Sequence, residues 1–374
     1  MRQVSVCNSD LGPLIGCSHH VKKAPWQLGA KIGRLPGIRG SLELQRAGQS
    51  WKSNHLHCSQ GVLPTNLLDL ISAMRASVIL YAAVGLLVDA GLSARIIQSN
   101  DDGWAELYVR SFHDSLVAAG HDVILSCPAD NKSGTSSLDI DPSPRTSACQ
   151  YGSCAAGTGA IGVNATNPRL NWVNSFPVTS MRFGISTIST QFWDGQLPEL
   201  AVTGPNVGSN LWLAVHFSGT VGAAVYAVRE AGVPAIAFSG ASEGTLAWNT
   251  TPAPARSLVY AELARRLTDA VLASGKPYLP ADVFLNVNFP KAEGACADPN
   301  NYKWVLSRIN PGLFSAQDVK QCGSTRLPTE TDVVNAKGCY ASISVGDATD
   351  KTTAPEEKQA IVLKKLGSLL SCLP

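Results

Sequence analysis

The stretch IIQSNDDG, residues 96–103, decides the fold, because an apolar strand ends there directly in two adjacent carboxylates. Apolar residues at near-helical spacing follow over residues 104–119, and Gly120 stands where a glycine cap is expected to end a helix. The same alternation of strand and helix recurs downstream. It predicts strands at residues 122–126, 200–203, 233–238 and 283–289, and helices at residues 218–231, 255–273 and 355–371.

Apolar strands that alternate with helices predict an α/β fold with a parallel sheet covered on both faces. Residues 135–195 are rich in Ser, Thr, Gly and Asn, and we expect them to form an irregular excursion from the core. Ligands of such sheets bind at the carboxyl ends of the strands. The polar loops that follow the predicted strands would therefore converge at one edge of the sheet.

The first 94 residues differ in composition from the rest, with nine Lys/Arg against four Asp/Glu. Residues 74–94 combine a basic start, an apolar run and small residues, the pattern of a secretory signal peptide. We interpret residues 1–73 as an over-extended gene model or a disordered segment, with the signal starting at Met74; the alternative is a genuine extension followed by a signal anchor. Because the apolar run is short for a membrane span, we expect a secreted protein without a membrane partner.

Cysteine usage agrees with export. Six of the seven cysteines after residue 94 lie in polar or terminal segments, and they predict three disulfides. Cys149 and Cys154 are close enough to close one small loop, whereas the other pairings stay open. Cys127 lies in an apolar strand pattern and is expected to be a buried free thiol. A zinc site is the competing interpretation, but the chain has no Cys-x2-Cys pair after the signal.

Several polar residues at predicted strand ends are candidates for a metal site. Adjacent carboxylates such as Asp101 and Asp102 repel each other unless a hard divalent cation lies beside them, although Asp102 could instead cap the following helix. Ser133, in a loop after the second strand, has a hydroxyl that can bind a metal or a phosphate. Asn206 offers a neutral amide oxygen after the third buried strand. Turn chemistry is the alternative for both loops.

A second group of residues suits phosphate. Ser218, Gly219 and Thr220 begin a predicted helix, where backbone N–H groups and hydroxyls can bind an anion or can simply cap the helix. Gly134 lets a backbone approach closely. The amides of Asn100 and Asn210 can donate hydrogen bonds to phosphate oxygens. His216, two residues before Ser218, is a possible proton donor, with loop packing as the alternative.

Several blocks in one order carry a resemblance to a known family, which covers roughly residues 95–290. The chain resembles the SurE family of survival-protein phosphatases and nucleotidases, in particular the SurE-like fungal acid phosphatases. The blocks are SNDDG at 99–103, AAGHDV at 118–123, PADNKSG at 128–134, PELAVTGPN at 198–206, SGTVGAA at 218–224, GVPAIAFS at 232–239 and LNVN at 285–288. Residues 291–374 would form a Cys-containing extension packed on this domain.

The resemblance implies a Rossmann-like three-layer α/β/α sandwich and metal-dependent hydrolysis of phosphate monoesters, such as 5'- or 3'-nucleoside monophosphates. It assigns the ion, one Mg²⁺ or Mn²⁺, to Asp101, Asp102, Ser133 and Asn206, with Asp101, Asp102 and Asn206 as catalytic residues. Family members commonly form dimers or tetramers, so a homodimer or homotetramer is possible. Two departures concern the site. Residues 104–108 read Trp-Ala-Glu-Leu-Tyr, where bacterial members of the family usually carry an aromatic residue followed by Ala-Pro-Gly, and Val207 stands where they carry an arginine.

Other function classes are less well supported. A net charge of +2 gives no basic field for duplex nucleic acid. Residues 157–162 fit a Gly-x-Gly-x-x-Gly fingerprint but lack the strand and helix that a dinucleotide site requires. The alternative function is a non-catalytic relative that binds a metal or a nucleotide. Glycosylation sequons begin at Asn131, Asn164 and Asn249, and we expect Asn131 to be unoccupied because a glycan there would crowd the site.

Overall fold

The computed structural model describes residues 93–312 and 314–374. The predicted extension at residues 1–73 and nearly all of the predicted signal peptide at residues 74–94 lie outside the described residues. No described helix is both long and apolar enough to cross a membrane.

A single mixed sheet runs through the described part of the chain. Its strands lie in the order β3-β4-β2-β1-β5-β6-β7-β9-β8. The six strands from β4 to β7 in this order are parallel, β3 is antiparallel at one edge, and β9 and β8 run antiparallel to the centre. Their bounds are β1 Arg95–Ser99, β2 Asp122–Pro128, β3 Ile161–Val163, β4 Leu170–Val173, β5 Leu200–Val207, β6 Ala235–Gly240, β7 Val283–Asn288, β8 Lys303–Ser307 and β9 Tyr340–Asp347.

Helices cover both faces of this sheet. Their bounds are α1 Leu107–Ala118, α2 Pro177–Phe183, α3 Ala214–Phe217, α4 Gly219–Arg229, α5 Ala255–Ala273, α6 Glu330–Asn335 and α7 Glu356–Leu366. One buried cluster joins α1, α5 and α7 to the sheet and includes Phe112, Leu263 and Val362. A second joins α2 and α4 to the opposite face and includes Met181 and Ala224. The predicted three-layer α/β/α sandwich with a mostly parallel sheet is therefore confirmed.

The predicted excursion at residues 135–195 is only partly irregular. It adds β3 and β4 to one edge of the sheet, and α2 packs against the core. All four residues of β4 are buried. A strand of four residues is too short for its apolar pattern to be distinguished from a loop, which is why sequence analysis missed it.

The C-terminal segment, residues 291–374, is part of the same sheet. Beyond residue 290 the chain forms β8 and β9, and β9 pairs with β7 in the sheet. The six cysteines form the three expected disulfides, namely Cys149–Cys154, Cys296–Cys339 and Cys322–Cys372. Cys127 is a buried free thiol, as predicted. The last two disulfides lie entirely within the C-terminal segment.

Candidate metal and phosphate site

The candidate site lies where the strand order reverses. The chain passes from β1 to β2 on one side of β1, and later returns to β5 on the other side. The carboxyl ends of β1 and β5 therefore flank a topological switch point, the place where open α/β sheets bind ligands. Asp101 and Asp102 follow β1, and Asn206 lies at the end of β5.

Asp101 is held by the N-terminus of α4. The Thr220 hydroxyl donates to Oδ1 at 2.6 Å, and the Thr220 backbone N–H donates to Oδ2 at 3.1 Å. A side chain at Gly219 would place its Cβ only 2.9 Å from the Asp101 Cβ, so glycine permits this close approach. Burial raises the pKa of the Asp101 carboxyl, although the hydrogen bonds from Thr220 act in the opposite direction.

Asp102 is joined to two further loops. The Val207 N–H donates to Oδ2 at 2.8 Å, and the Asn131 amide donates to Oδ1 at 3.3 Å. Its side chain is almost fully buried, since Asp102 is only 1% exposed. Burial, and then repulsion from Asp101, raise the pKa of Asp102 well above its usual range. The pair is thus costly to ionise without a nearby positive charge.

Ser133 and Asn206 complete the predicted ligand set. The Ser133 hydroxyl lies close enough to Asp102 to lower the pKa of that carboxyl. The Asn206 Nδ2 donates to the Gly208 carbonyl at 2.5 Å, which orients the amide. No described residue donates to the Asn206 Oδ1, so this oxygen is available to a ligand. The structure therefore brings the four predicted ligands to one end of the sheet.

Two predicted phosphate-binding residues keep their donors. Asn100 is fully buried, and neither its Oδ1 nor its Nδ2 has a hydrogen-bond partner among the described residues. Buried amide groups are rarely left unpaired, so this one indicates a ligand. Gly134 has a positive φ of 76° and open space around its Cα, which exposes its backbone. Asn100 directly precedes the carboxylate pair in the chain, and Gly134 follows Ser133, whose hydroxyl lies close to Asp102.

The other predicted phosphate-binding residues have protein partners instead. Ser218 caps α4 by accepting a hydrogen bond from the Val221 N–H, and it is buried. Gly219 and Thr220 direct their N–H groups at Asp101. Asn210 donates from Nδ2 to the Ser239 hydroxyl at 2.8 Å. These groups are committed to the framework, because Gly219, Thr220 and Asn210 already donate to buried acceptors and Ser218 already accepts a hydrogen bond.

The donor set fits a hard divalent cation. The described part of the chain contains no group of three or more His, Cys, Asp or Glu side chains that could hold a metal, so hydroxyl and amide oxygens must supplement the two carboxylates. Burial is the largest cause of the raised pKa of both Asp101 and Asp102. Two buried carboxylates without a counter-ion, beside an unpaired amide, are compatible with Mg²⁺ or Mn²⁺ coordinated by oxygen.

Two residues outside the predicted site residues orient this site. The Asn131 Nδ2 donates to Asp102, and the Asn131 Oδ1 accepts from the Ser133 N–H at 2.9 Å. The Val207 N–H donates to Asp102 as well. The signal for Asn131 was its position two residues before Ser133. A backbone N–H leaves no signal in the sequence.

A buried pair of carboxylates at the switch point defines the class: an α/β protein with a candidate cation site at the carboxyl edge of its sheet. The family model of survival protein SurE matches residues 96–308. The chain belongs to this family. Because the match includes β1 and β5, it covers the strand ends that carry Asp101, Asp102 and Asn206.

Two curated proteins and one solved structure are similar to this chain. An acid phosphatase of Yarrowia lipolytica is 34% identical over 281 residues, which is 67% of this chain and 78% of that protein. A 5'-nucleotidase SurE of Gloeobacter violaceus is 33% identical over 148 residues, 40% of this chain and half of that protein. The crystal structure of the SurE protein from Aquifex aeolicus is 20% identical with a TM-score of 0.48, covering 73% of this chain and 99% of that one.

Proposed function

We propose that this protein hydrolyses phosphate monoesters, with nucleoside monophosphates as the natural substrate class. The observation that carries the proposal is the uncompensated carboxylate pair at the switch point, beside the unpaired Asn100 amide. Membership of the SurE family supports the reaction, since the relatives bear the names acid phosphatase and 5'-nucleotidase. The three disulfides support export from the cytosol.

Each residue of the site has a role in this proposal. Asp101, Asp102, Ser133 and Asn206 would hold one Mg²⁺ or Mn²⁺. When bound, the ion supplies positive charge that polarises phosphoryl oxygens and acidifies water. One of the two aspartates accepts the proton of the attacking water, as a general base.

The phosphoryl group is bound by donors that the protein leaves free. In this proposal, the Asn100 amide and the Gly134 N–H donate hydrogen bonds to the phosphoryl oxygens, because fixed donors stabilise the charge that builds there in the transition state. Thr220 and Gly219 do not contact the phosphoryl group in this proposal; they hold Asp101 in place through hydrogen bonds. His216 stays a possible proton donor, and its carbonyl already accepts a hydrogen bond from the Ser136 hydroxyl at 2.5 Å.

The test is phosphate release from p-nitrophenyl phosphate and from a panel of nucleoside monophosphates, with EDTA, Mg²⁺ or Mn²⁺. We expect activity that EDTA abolishes and metal restores, and that Asp101→Asn loses. Asp350→Asn, an exposed carboxylate in a turn distant in sequence from the site, is the matched control and should retain activity. A folded wild-type protein that is inactive under every condition would support the non-catalytic binding relative instead.

A further inference from the structure

One segment connects two parts of the candidate site. Residues 208–217, here called the bridging segment, run from the loop of Asn206 to Ser218, which caps the helix that holds Asp101. Any displacement of the bridging segment would therefore shift both the loop of Asn206 and the start of α4. The segment contains only one regular element, the four-residue helix α3. Its position must therefore depend on contacts with neighbouring parts of the protein.

The carboxyl end of β7 holds the middle of the bridging segment. The Asn288 Oδ1 accepts from the Asn210 N–H at 2.8 Å. The Asn210 carbonyl in turn accepts from the amides of Asn286 at 2.9 Å and Asn288 at 3.1 Å. Both asparagines are fully buried, and the other residues of this strand are buried apolar side chains. A buried amide pair of this kind specifies one backbone position, because any other would leave polar groups unpaired.

Glu330 supports this arrangement from the C-terminal segment. It is the first residue of α6 and has no exposed surface. The Asn286 Nδ2, which also binds Asn210, donates to the Glu330 Oε1 at 2.6 Å. The Trp212 N–H and the Ser344 hydroxyl lie close enough to lower the pKa of Glu330, although Oε2 makes no hydrogen bond of good geometry. Glu330 thus meets the bridging segment directly at Trp212 and indirectly at Asn210.

Glu330 is not a counter-ion. Burial raises its pKa to about 8, and no charged group is among the causes of the shift. Charged side chains on the neighbouring elements are engaged elsewhere. Arg308 pairs with Asp318 at 2.6 Å, and Asp332 accepts from Thr329 at the start of α6. At acidic and neutral pH, Glu330 is therefore a neutral acid that can both accept and donate a hydrogen bond.

We propose that Glu330 is a positioning residue, which fixes the bridging segment through Asn286 and Trp212 and thereby keeps Asn206 and α4 aligned at the metal site. The inference rests on the proposed function, since it assumes that Asn206 is a ligand. It adds a residue from outside the region that the family model matches, residues 96–308. Outer partners of metal ligands matter because they hold the ligands in a productive orientation.

The test compares three variants. Glu330→Gln keeps the shape and the hydrogen-bonding capacity of the neutral acid, whereas Glu330→Ala removes both. Val333→Ala is the matched control, because Val333 is buried on the same helix but packs against Val305 and Tyr340 instead of the bridging segment. Three quantities are measured on each purified protein: affinity for Mn²⁺ alone by calorimetry, kcat and KM for a phosphate monoester, and amide hydrogen exchange of residues 208–217.

We expect Glu330→Ala to weaken Mn²⁺ binding by about 10- to 100-fold and to speed exchange in the bridging segment. Its kcat should fall more than its KM rises, because a misplaced site stabilises the transition state poorly. Glu330→Gln should resemble wild type at pH 6. Above pH 8 the wild type should lose Mn²⁺ affinity through ionisation of Glu330, whereas Glu330→Gln should not.

Any one of three results would overturn the proposal. The first is a Glu330→Ala protein that matches Val333→Ala in Mn²⁺ affinity and in exchange of residues 208–217. The second is a Glu330→Gln protein as impaired as Glu330→Ala, and the third is a Glu330→Gln protein whose Mn²⁺ affinity falls above pH 8 as far as that of the wild type. If the wild type hydrolyses no phosphate monoester, the proposed function fails, but Mn²⁺ affinity and hydrogen exchange still decide the role of Glu330.

Discussion

At the scale of single residues, the candidate site depends on a glycine as much as on its carboxylates. Asp101 reaches the N-terminus of α4 only because Gly219 has no side chain. The helix N-terminus and the Thr220 hydroxyl then stabilise the ionised carboxylate, through donors that would otherwise lack acceptors. One helix start thus fixes one predicted metal ligand.

Replacing Gly219 tests this arrangement. In Gly219→Ala, the new Cβ would lie 2.9 Å from the Asp101 Cβ and 2.8 Å from the Pro177 Cγ, so Asp101 or α4 must shift. We expect kcat/KM to fall by about 100-fold, the effect of a displacement near 1 Å at a reacting centre. Steady-state kinetics with Mn²⁺ would measure it. Gly159→Ala, where the nearest atom is 3.4 Å away, is the control, and equal losses in both variants would contradict the explanation.

Asn131 offers a second test at this scale. Both ends of its amide are used, by Asp102 and by the Ser133 N–H. A glycan on Nδ2 would displace the hydrogen bond to Asp102, so we expect no glycan at Asn131 when the protein is secreted from a eukaryotic host. Asn249, which is exposed, should carry one. Glycopeptide mapping gives both occupancies, and full occupancy at Asn131 would count against Ser133 as a ligand.

At the scale of elements, α1 is tied to a distant loop by its own cap. The Glu106 carboxylate accepts from the Tyr108 N–H at 2.5 Å and from the Leu246 N–H at 3.3 Å, so one side chain caps α1 and anchors the loop after β6. It is fully buried, and burial raises its pKa to about 7. Glu106 is one of the residues that departs from the Ala-Pro-Gly pattern of bacterial relatives.

This burial predicts how stability depends on pH. The pKa of Glu106 is higher in the folded protein than in the unfolded chain, so its contribution is fully present below about pH 4.5 and is lost as the pH rises through 7. We expect the free energy of unfolding to fall between pH 5 and pH 8, by at most about 3 kcal/mol from this residue. Urea unfolding at both pH values would show it.

Glu106→Gln is the comparison for that measurement. Its free energy of unfolding should change less between pH 5 and pH 8, because the amide cannot ionise. Equal slopes for the wild type and Glu106→Gln would show that another group controls the dependence. Burial also raises the pKa of Glu330, to about 8, so its ionisation lowers stability as the pH rises, as for Glu106. The free energy of unfolding of a Glu106→Gln/Glu330→Gln double variant should therefore change even less with pH.

At the scale of the whole molecule, residues 291–374 are integral to the structure. They supply β8 and β9, place Glu330 beneath the bridging segment, and carry Lys351, whose Nζ donates to the Ser136 hydroxyl at 3.1 Å in the loop after Ser133. Lys351 is only 9% exposed. Glu330 therefore contacts the bridging segment and Lys351 contacts the loop after Ser133, and both residues lie outside the region that the family model matches.

A disulfide in the C-terminal segment should contribute more to the free energy of unfolding than the Cys149–Cys154 disulfide outside it. Cys322–Cys372 closes a loop of 50 residues, whereas Cys149–Cys154 spans only five. On chain-entropy grounds, removing the first pair should cost about 4 kcal/mol and the second about 2 kcal/mol. Double Cys→Ser variants of each pair, compared by denaturant unfolding, test the order. A larger loss from the Cys149–Cys154 pair would contradict it.

The fold class, most strands and helices, the set of disulfide cysteines and the carboxylate pair could all be predicted from the sequence. Each is encoded locally, by apolar periodicity or by residue type at a strand end. Which hydrogen-bond donors are free became clear from the folded structure alone. Ser218, Thr220 and Asn210 look like phosphate-binding residues in the sequence, yet their donors or acceptors are already used by the framework. The positions of Glu330 and Lys351 could not be predicted either, because contacts across more than 100 residues follow from sheet topology and leave no local pattern.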